Sequence, residues 1–294
     1  MKPAPFDYYS PASIDEALSH LSEHGYDAKL IAGGQSLIPM MNFRLAEPSI
    51  LIDLNRIDAL AYIEPNGKDG LRIGAMTRHH ALETDPQIAE HAPLLYEVMP
   101  LIATPQIRSR GTIGGSLAHA DPSAELATLS VALDAEFLLR TKEKTRTVLA
   151  RDFFVGMFTT LLDPDEMLLE ITFPPMTPNT GWSMKEIARR AHDFALVGVA
   201  ALVSLGDGGK CEGARLVFMS VGDGPVEAPL ASEMLAGQSL STKIFEAAAE
   251  KASSEEIDPG GDIHASADFR RHLARVLTVR ALEEAFSRAK NGRN

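Results

Sequence analysis

The chain has 294 residues, 45% of them apolar, and carries 28 Lys and Arg against 40 Asp and Glu for a formal net charge of −12. That length exceeds one typical domain, so two globular parts are expected, and the acidic balance excludes an extended nucleic-acid surface or a polybasic membrane patch, both of which need clustered Lys and Arg. Cys211 is the single cysteine, which excludes an internal disulfide and a cysteine-ligated iron–sulfur cluster or structural zinc built from this chain alone.

Ser13, followed three positions later by Glu16, is a capping-box signature, and Ile14, Ala17, Leu18 and Leu21 share one helical face before Gly25; an amphipathic helix is predicted there. A short buried strand over 28–31 leads directly into Ala32-Gly33-Gly34-Gln35-Ser36-Leu37, then a short helix and a strand over 50–54 that contains Asp53. This order favours crossover connections and a small, partly parallel sheet with the glycine loop at a strand's carboxyl end, where α/β ligand sites concentrate. Strands over 61–64 and 71–74 and helices near 77–84 and 94–101 precede a second glycine segment, Thr112-Ile113-Gly114-Gly115-Ser116-Leu117. Asp121-Pro122 makes a turn before Ser123, which can cap a helix over 124–133 with Glu125 in its first turn; strands follow at 136–140, 146–149 and 168–173. Pro174-Pro175 and Pro178-Asn179-Thr180-Gly181 are the strongest punctuation in the chain, and the domain boundary is placed there. Beyond it, antiparallel strands are expected at 182–187, 197–205 and 214–221, with Gly206-Asp207-Gly208-Gly209 as a hairpin turn, although 197–205 also suits a buried helix. Helices over 241–252 and 265–289 complete the pattern. The N-terminal Met1-Lys2-Pro3-Ala4-Pro5-Phe6 lacks an apolar signal region, and the longest apolar run, 194–205, falls short of the ~20 residues of a membrane span. A cytoplasmic chain without stable membrane insertion is expected.

The two glycine segments carry the candidate chemistry. A glycine pair admits positive φ and close backbone approach, and successive N–H groups in such a turn converge on an anion. Ser36, Thr112 and Ser116 add hydroxyls. Each donor to a charged oxygen contributes roughly 1.5–3 kcal/mol net, so four or five suffice for a pyrophosphate without a lysine. The competing reading of either segment alone is a tight turn. His79, His80 and His119 lack ligand spacing for a metal; Asp121 is explained by its Asp-Pro turn; Arg108 and Arg110 flank the second glycine segment and could contact a phosphate or a partner subunit, the favoured alternative being a solvated face, as for Arg189 and Arg190.

The combination of Ala32-Gly33-Gly34-Gln35-Ser36-Leu37, Gly111-Thr112-Ile113-Gly114-Gly115-Ser116 and Asp121-Pro122-Ser123-Ala124-Glu125-Leu126 resembles the FAD-binding medium subunit of the molybdenum hydroxylases, the family of carbon monoxide dehydrogenase and bacterial xanthine dehydrogenase-type enzymes. The likeness continues through Lys185-Glu186-Ile187-Ala188-Arg189-Arg190 and His264-Ala265-Ser266-Ala267-Asp268-Phe269-Arg270-Arg271-His272-Leu273, and so spans the chain. It implies an α+β protein. A two-subdomain FAD-binding PCMH-type domain of the vanillyl-alcohol-oxidase superfamily would cover 1–176, with subdomains of about 1–56 and 57–176. A smaller CO dehydrogenase flavoprotein C-terminal-like domain, with a three-stranded antiparallel sheet and helices, would cover 177–290.

By position, the resemblance assigns FAD contact to Leu30, Ile31, Ala32, Gly33, Gly34, Gln35, Ser36, Leu37, Ile102, Thr112, Ile113, Gly114, Gly115, Ser116, Glu125, Leu168 and Lys185. It assigns no catalytic acid or base and no metal ligand. Several relatives have Asn at Ser116, Asp at Glu125 and Tyr at Phe194, so individual hydrogen bonds differ here. Lys185 would place positive charge near the flavin, the alternative being a snorkelling surface lysine; Glu125 would accept a ribose or ribityl hydroxyl, the alternative being a first-turn Glu favoured by the helix dipole. The FAD is expected to be non-covalent, because neither glycine loop offers a His or Cys to the ring. The implied role is electron transfer from 2Fe-2S clusters on a small partner subunit through FAD to NAD, quinone or oxygen. A large molybdopterin subunit would hydroxylate the substrate, and the assembly would be a dimer of heterotrimers. Two rival readings are a self-sufficient flavin oxidase or reductase of the same superfamily and a non-catalytic dinucleotide-binding assembly module.

Overall fold

The computed structural model describes residues 2–67, 70–206 and 208–292. The chain divides into two compact units, one formed by 1–120, 135–155 and 159–174 and the other by 121–134, 156–158 and 175–294.

In the first unit, β1 (Asp7–Tyr9) leads into α1 (Ile14–His24), which buries Ala17, Leu18 and Leu21. Ser13 caps α1 through the Glu16 N–H at 3.2 Å. The Glu16 carboxylate reaches back to the N–H of Ala12 at 2.8 Å rather than to that of the cap residue, which closes the same first turn one residue earlier. β2 (Ala28–Ile31), the first glycine loop and α2 (Leu37–Asn42) lead to β3 (Ile50–Asp53). Both β1 and β2 pair with β3 in parallel, Tyr9 beside Ile52 and Ile31 beside Asp53. Parallel neighbours require a crossover, and α1 and α2 supply the two. The Gly33-Gly34 loop thereby emerges from the carboxyl end of β2.

β4 (Ile63–Asn66) and β5 (Gly70–Gly74) open a second sheet. A run of short helices follows, α3 (His79–Thr84), α4 (Pro86–His91), α5 (Pro93–Val98), α6 (Pro105–Arg108) and α7 (Ile113–His119). The expected helix over 94–101 is α5 plus a tighter turn over Met99–Leu101, and α4 was not foreseen. Proline at the first turn of α4, α5 and α6 is tolerated because that N–H needs no intrahelical partner, but it also breaks the run into single turns. α8 (Glu125–Ala132) belongs to the other unit. β6 (Glu136–Arg140), β7 (Thr145–Leu149), α9 (Ala150–Phe153), the short strands β8 (Phe154–Gly156) and β9 (Thr159–Thr160), and β10 (Met167–Phe173) come next. The sheet order is β4-β5-β10-β6-β7, antiparallel throughout.

The second unit is a meander of β11 (Thr180–Ala188), β12 (Ala195–Leu205) and β13 (Cys211–Met219). Residues 197–205 are therefore strand and not helix. Their near-continuous burial, which made the two readings hard to separate by periodicity, arises because α12 packs on β11 and β12 while α8 packs on β12 and β13. A short β14 (Val226–Glu227) extends the expected three strands to four. The predicted 206–209 turn includes Asp207, which lies outside the described residues. α10 (Pro229–Leu235), α11 (Thr242–Lys251) and α12 (Ala267–Asn291) follow. The core joins Val197, Val199 and Phe218 of the sheet to Leu277, Ala281 and Leu282 of α12. Among the described residues no helix is long and apolar enough to cross a membrane.

Gly181 lets β11 lie directly on α12: a Cβ there would collide with the Ala285 carbonyl and the Ala289 amide. Gly181→Val is expected to lower stability by ~1–3 kcal/mol through overpacking, read as a lower urea midpoint at unchanged slope. An unaltered midpoint would show that the strand and helix are less closely apposed.

Candidate functional site

The first glycine loop is organised by its carbonyls. The Ala32 carbonyl accepts from Asn55 Nδ2 at 2.8 Å, that of Gly33 from Gln35 Nε2 at 2.9 Å and that of Gly34 from the Ile38 N–H at 3.2 Å. A trans peptide presents its C=O and N–H on opposite edges. Holding these three carbonyls inside therefore leaves the N–H groups of Gly33, Gly34 and Gln35 on the other edge, and they and the Ser36 N–H donate to no acceptor among the described residues. Gly34 has φ 71°, the left-handed region glycine adopts without strain. The Ser36 hydroxyl makes no capping bond to α2 and is likewise uncommitted.

The two glycine segments touch. A Cβ on Gly33 would strike the Arg110 carbonyl and lie 2.8 Å from the Gly111 Cα, and one on Gly115 would lie 3.4 Å from the Ala32 Cβ. A Cβ on Gly114 would similarly collide with Ala75. The absent side chains at 33 and 114 thus make room for the protein's own chain rather than for the ligand that the glycine pairs suggest.

The second segment also departs from the expected amide cradle. Ile113 N–H donates to Thr77 O at 3.1 Å, Gly114 to Ala75 O at 2.9 Å and Ser116 to Thr112 O at 3.0 Å, while Gly115 N–H donates to the Thr112 hydroxyl at 3.1 Å. Those amides are spent on seating α7 against the neighbouring strand and turn. What the segment retains for a ligand is the Thr112 N–H, which donates to no acceptor among the described residues, the Ser116 hydroxyl and the hydroxyl proton of Thr112.

Of the apolar positions, Leu30, Ile31 and Leu37 flank the first loop half-buried, and Ile102 and Leu168 are buried in the same unit. Ile102 is held through its carbonyl by Arg108. Arg108 is buried rather than solvated: its guanidinium donates to both Glu83 oxygens at 2.9 Å and to the carbonyls of Ile102 and Ala103 at 3.0 Å. His79, buried behind Gly111, is held down to about 4 by burial first and the nearby Arg108 and Arg78 charges second, so it is neutral. One grouping with ligand spacing, His20, Glu23 and His24, lies on α1, where both rings stack with Tyr9.

In the second unit, the Glu125 carboxyl is pushed up to about 7, chiefly by burial and then by Glu186 and Asp121. Glu186, also raised by burial, has an Oε2 without a partner among the described residues. Asp121 accepts from the Ser123 N–H at 2.8 Å, the turn its sequence implied. Lys185 is neither free nor snorkelling but ion-paired with Glu284, which also accepts from Ser183 at 2.9 Å. Phe194 is 74% exposed, and Arg189 and Arg190 are exposed as expected.

Two outcomes follow from this geometry. Gly33→Ala should push 110–111 away, lowering the unfolding free energy by ~1–3 kcal/mol and weakening diphosphate binding at least tenfold by calorimetry. The raised Glu125 carboxyl favours the folded state fully below about pH 4.5, and that contribution is lost as pH rises through about 7. Glu125→Gln should therefore gain stability over the parent as pH climbs from about 5 to about 8, by at most ~3 kcal/mol; parallel melting curves across that range would contradict the assignment.

Residues 4–176 match the family model described as the FAD binding domain in molybdopterin dehydrogenase, and residues 182–285 match the CO dehydrogenase flavoprotein C-terminal domain. The chain is 39% identical to the 6-hydroxypseudooxynicotine dehydrogenase complex subunit alpha of Paenarthrobacter nicotinovorans, covering 99% of this chain and 97% of that one. It is 38% identical to the carbon monoxide dehydrogenase medium chain of Hydrogenophaga pseudoflava, covering 98% and 99%. In structure it is similar to a chain of carbon monoxide dehydrogenase from Hydrogenophaga pseudoflava (TM-score 0.94, 38% identity, 98% and 99% covered) and to one of quinoline 2-oxidoreductase from Pseudomonas putida 86 (TM-score 0.92, 38% identity, 98% and 99% covered). With free main-chain donors at the first glycine loop and both family models matched in order, the chain belongs to the FAD-binding flavoprotein subunits of the molybdopterin dehydrogenases, a family of oxidoreductases.

Proposed function

We propose that this chain is the electron-transfer subunit of a molybdenum-dependent dehydrogenase complex, taking electrons from 2Fe-2S clusters on a small subunit and releasing them to NAD, quinone or oxygen. The observation that carries the reading is the set of uncommitted donors at Gly33, Gly34, Gln35 and Ser36, which suits the charged diphosphate of FAD. Bound FAD supplies the redox chemistry, accepting electrons singly and holding a pair.

The chain's own residues bind and orient. The amides of 33–36 and the Ser36 hydroxyl hold the diphosphate, Thr112 and Ser116 add hydroxyls, and the segment 112–116 supports the first loop by packing against it. Leu30, Ile31, Leu37, Ile102 and Leu168 are the proposed apolar contacts. In the second unit, Glu125, whose carboxyl is raised by burial and so keeps a proton more readily than an ordinary carboxylate, can both donate to and accept from a sugar or ribityl hydroxyl. Lys185 remains a proposed contact whose charge is shared with Glu284. No His or Cys lies within 32–37 or 111–117, which supports non-covalent attachment.

A single buried cysteine cannot ligate a cluster, so the iron–sulfur centres belong to another subunit. Relatives named as a medium chain and as a complex subunit support a multi-subunit assembly, for which we infer a small 2Fe-2S subunit, a large molybdopterin subunit and a dimer of heterotrimers. The acidic chain, with no helix among the described residues able to span a bilayer, supports operation in the cytoplasm.

The purified chain, titrated with FAD, should show a bound-flavin absorbance spectrum and a melting temperature that rises with FAD concentration. In the reconstituted complex the flavin should be reduced only when the reduced 2Fe-2S subunit is present. Absence of both binding signals would overturn the assignment; rapid reduction by small alcohols without partner subunits would instead indicate a self-sufficient oxidase.

A further inference from the structure

We propose that Asn55 and Arg78 are positioning residues for the FAD diphosphate, because their joined side chains bridge the Ala32 carbonyl in the first glycine loop to the Arg110 carbonyl beside the second. This rests on the FAD reading above and names the device that keeps the first loop's amides available. Asn55 Nδ2 donates to Ala32 O at 2.8 Å, Arg78 donates through one guanidinium nitrogen to Asn55 Oδ1, and through the other to Arg110 O. Arg110 O is also the atom a Cβ on Gly33 would strike, so the bridge spans the seam where the two segments meet.

The orientation of the Asn55 amide is fixed by its surroundings. Asp53 accepts from both the Asn55 N–H at 2.9 Å and the Tyr8 hydroxyl, and burial, which would raise its carboxyl, is outweighed by these bonds and by the Arg110 charge. An ionised Asp53 accepts only, so the donating nitrogen of Asn55 faces it and the oxygen faces Arg78. Because a peptide's carbonyl and the following N–H lie on opposite edges, fixing Ala32 O aims the Gly33 N–H away from the bridge. The hydrogen-bond partners of the Arg78 guanidinium are neutral acceptors, and Arg110 lies close to it. Two guanidinium groups against one Asp53 leave an excess of positive charge around the bridge at the base of the first loop.

The test uses the full-length chain stripped of cofactor. ADP, the diphosphate half without a flavin ring, and FAD are titrated by calorimetry, and riboflavin, which lacks phosphate, by fluorescence quenching. Asn55→Ala and Arg78→Ala are each expected to weaken ADP and FAD by the same factor, at least tenfold, with the double variant no worse than about the weaker single one, because both belong to one bridge. Arg78→Lys, which keeps one donor, should recover part of the loss, and riboflavin affinity should hold at the parent value in every variant. Parent-like ADP affinity in both alanine variants would overturn the proposal, as would equal loss of ADP and riboflavin with no recovery in Arg78→Lys, which would mark general loosening. If the parent chain itself binds neither FAD nor ADP, the FAD reading beneath the proposal fails instead, so the two failures are distinguishable.

Discussion

A peptide group cannot turn its carbonyl and its amide to the same side, and the first glycine loop depends on that constraint. Its carbonyls at 32, 33 and 34 are engaged by Asn55, Gln35 and Ile38, and the amides on the opposite edges are left as donors. Such donors need no charge of their own, so an acidic chain can present a local site for an anion. Exposed charges farther than roughly 8 Å are screened at physiological salt, and the net charge of −12 acts on solubility more than on this loop.

The two glycine segments are alike in sequence and unlike in physics. In the first, the chain leaves a parallel strand, and its donors stay unspent until a ligand arrives. In the second, Thr112 begins a helix whose first amides are consumed by Thr77, Ala75 and Thr112 itself. The second segment therefore acts as a wall against which the first is set, and glycine at 33 is what allows the wall to be close. Support of this kind, in which a neighbouring element holds the binding element at fixed distance, limits how far the donors can relax before a ligand binds.

Local chemistry made much of this legible in advance. The Ser13 cap, the apolar Phe137-Leu138-Leu139 of β6, the mostly apolar β10 and the prolines after it all act within a few residues, and the corresponding elements lie where the sequence places them. What the sequence hid depends on partners far along the chain. Arg108 looks like any exposed arginine until Glu83 and the Ile102 turn fold around it. Lys185 is claimed by Glu284 far along the chain, and the Glu125 carboxyl is raised by burial first and by the nearby Glu186 and Asp121 charges second. Asn55 and Arg78 gave no motif at all. Their signal was only that an Asn followed the strand paired to β2, and that an Arg preceded α3 opposite the second glycine segment.

The most direct measurement of the central claim is the amide NMR spectrum of the isotopically labelled chain during titration with ADP. Hydrogen bonds to a diphosphate should move the Gly33, Gly34 and Gln35 amide protons downfield and slow their exchange with solvent, while Ile113 to Ser116, already bonded within the chain, stay nearly still. Saturation with ADP that leaves 33–36 unmoved and perturbs 113–116 instead would contradict the account.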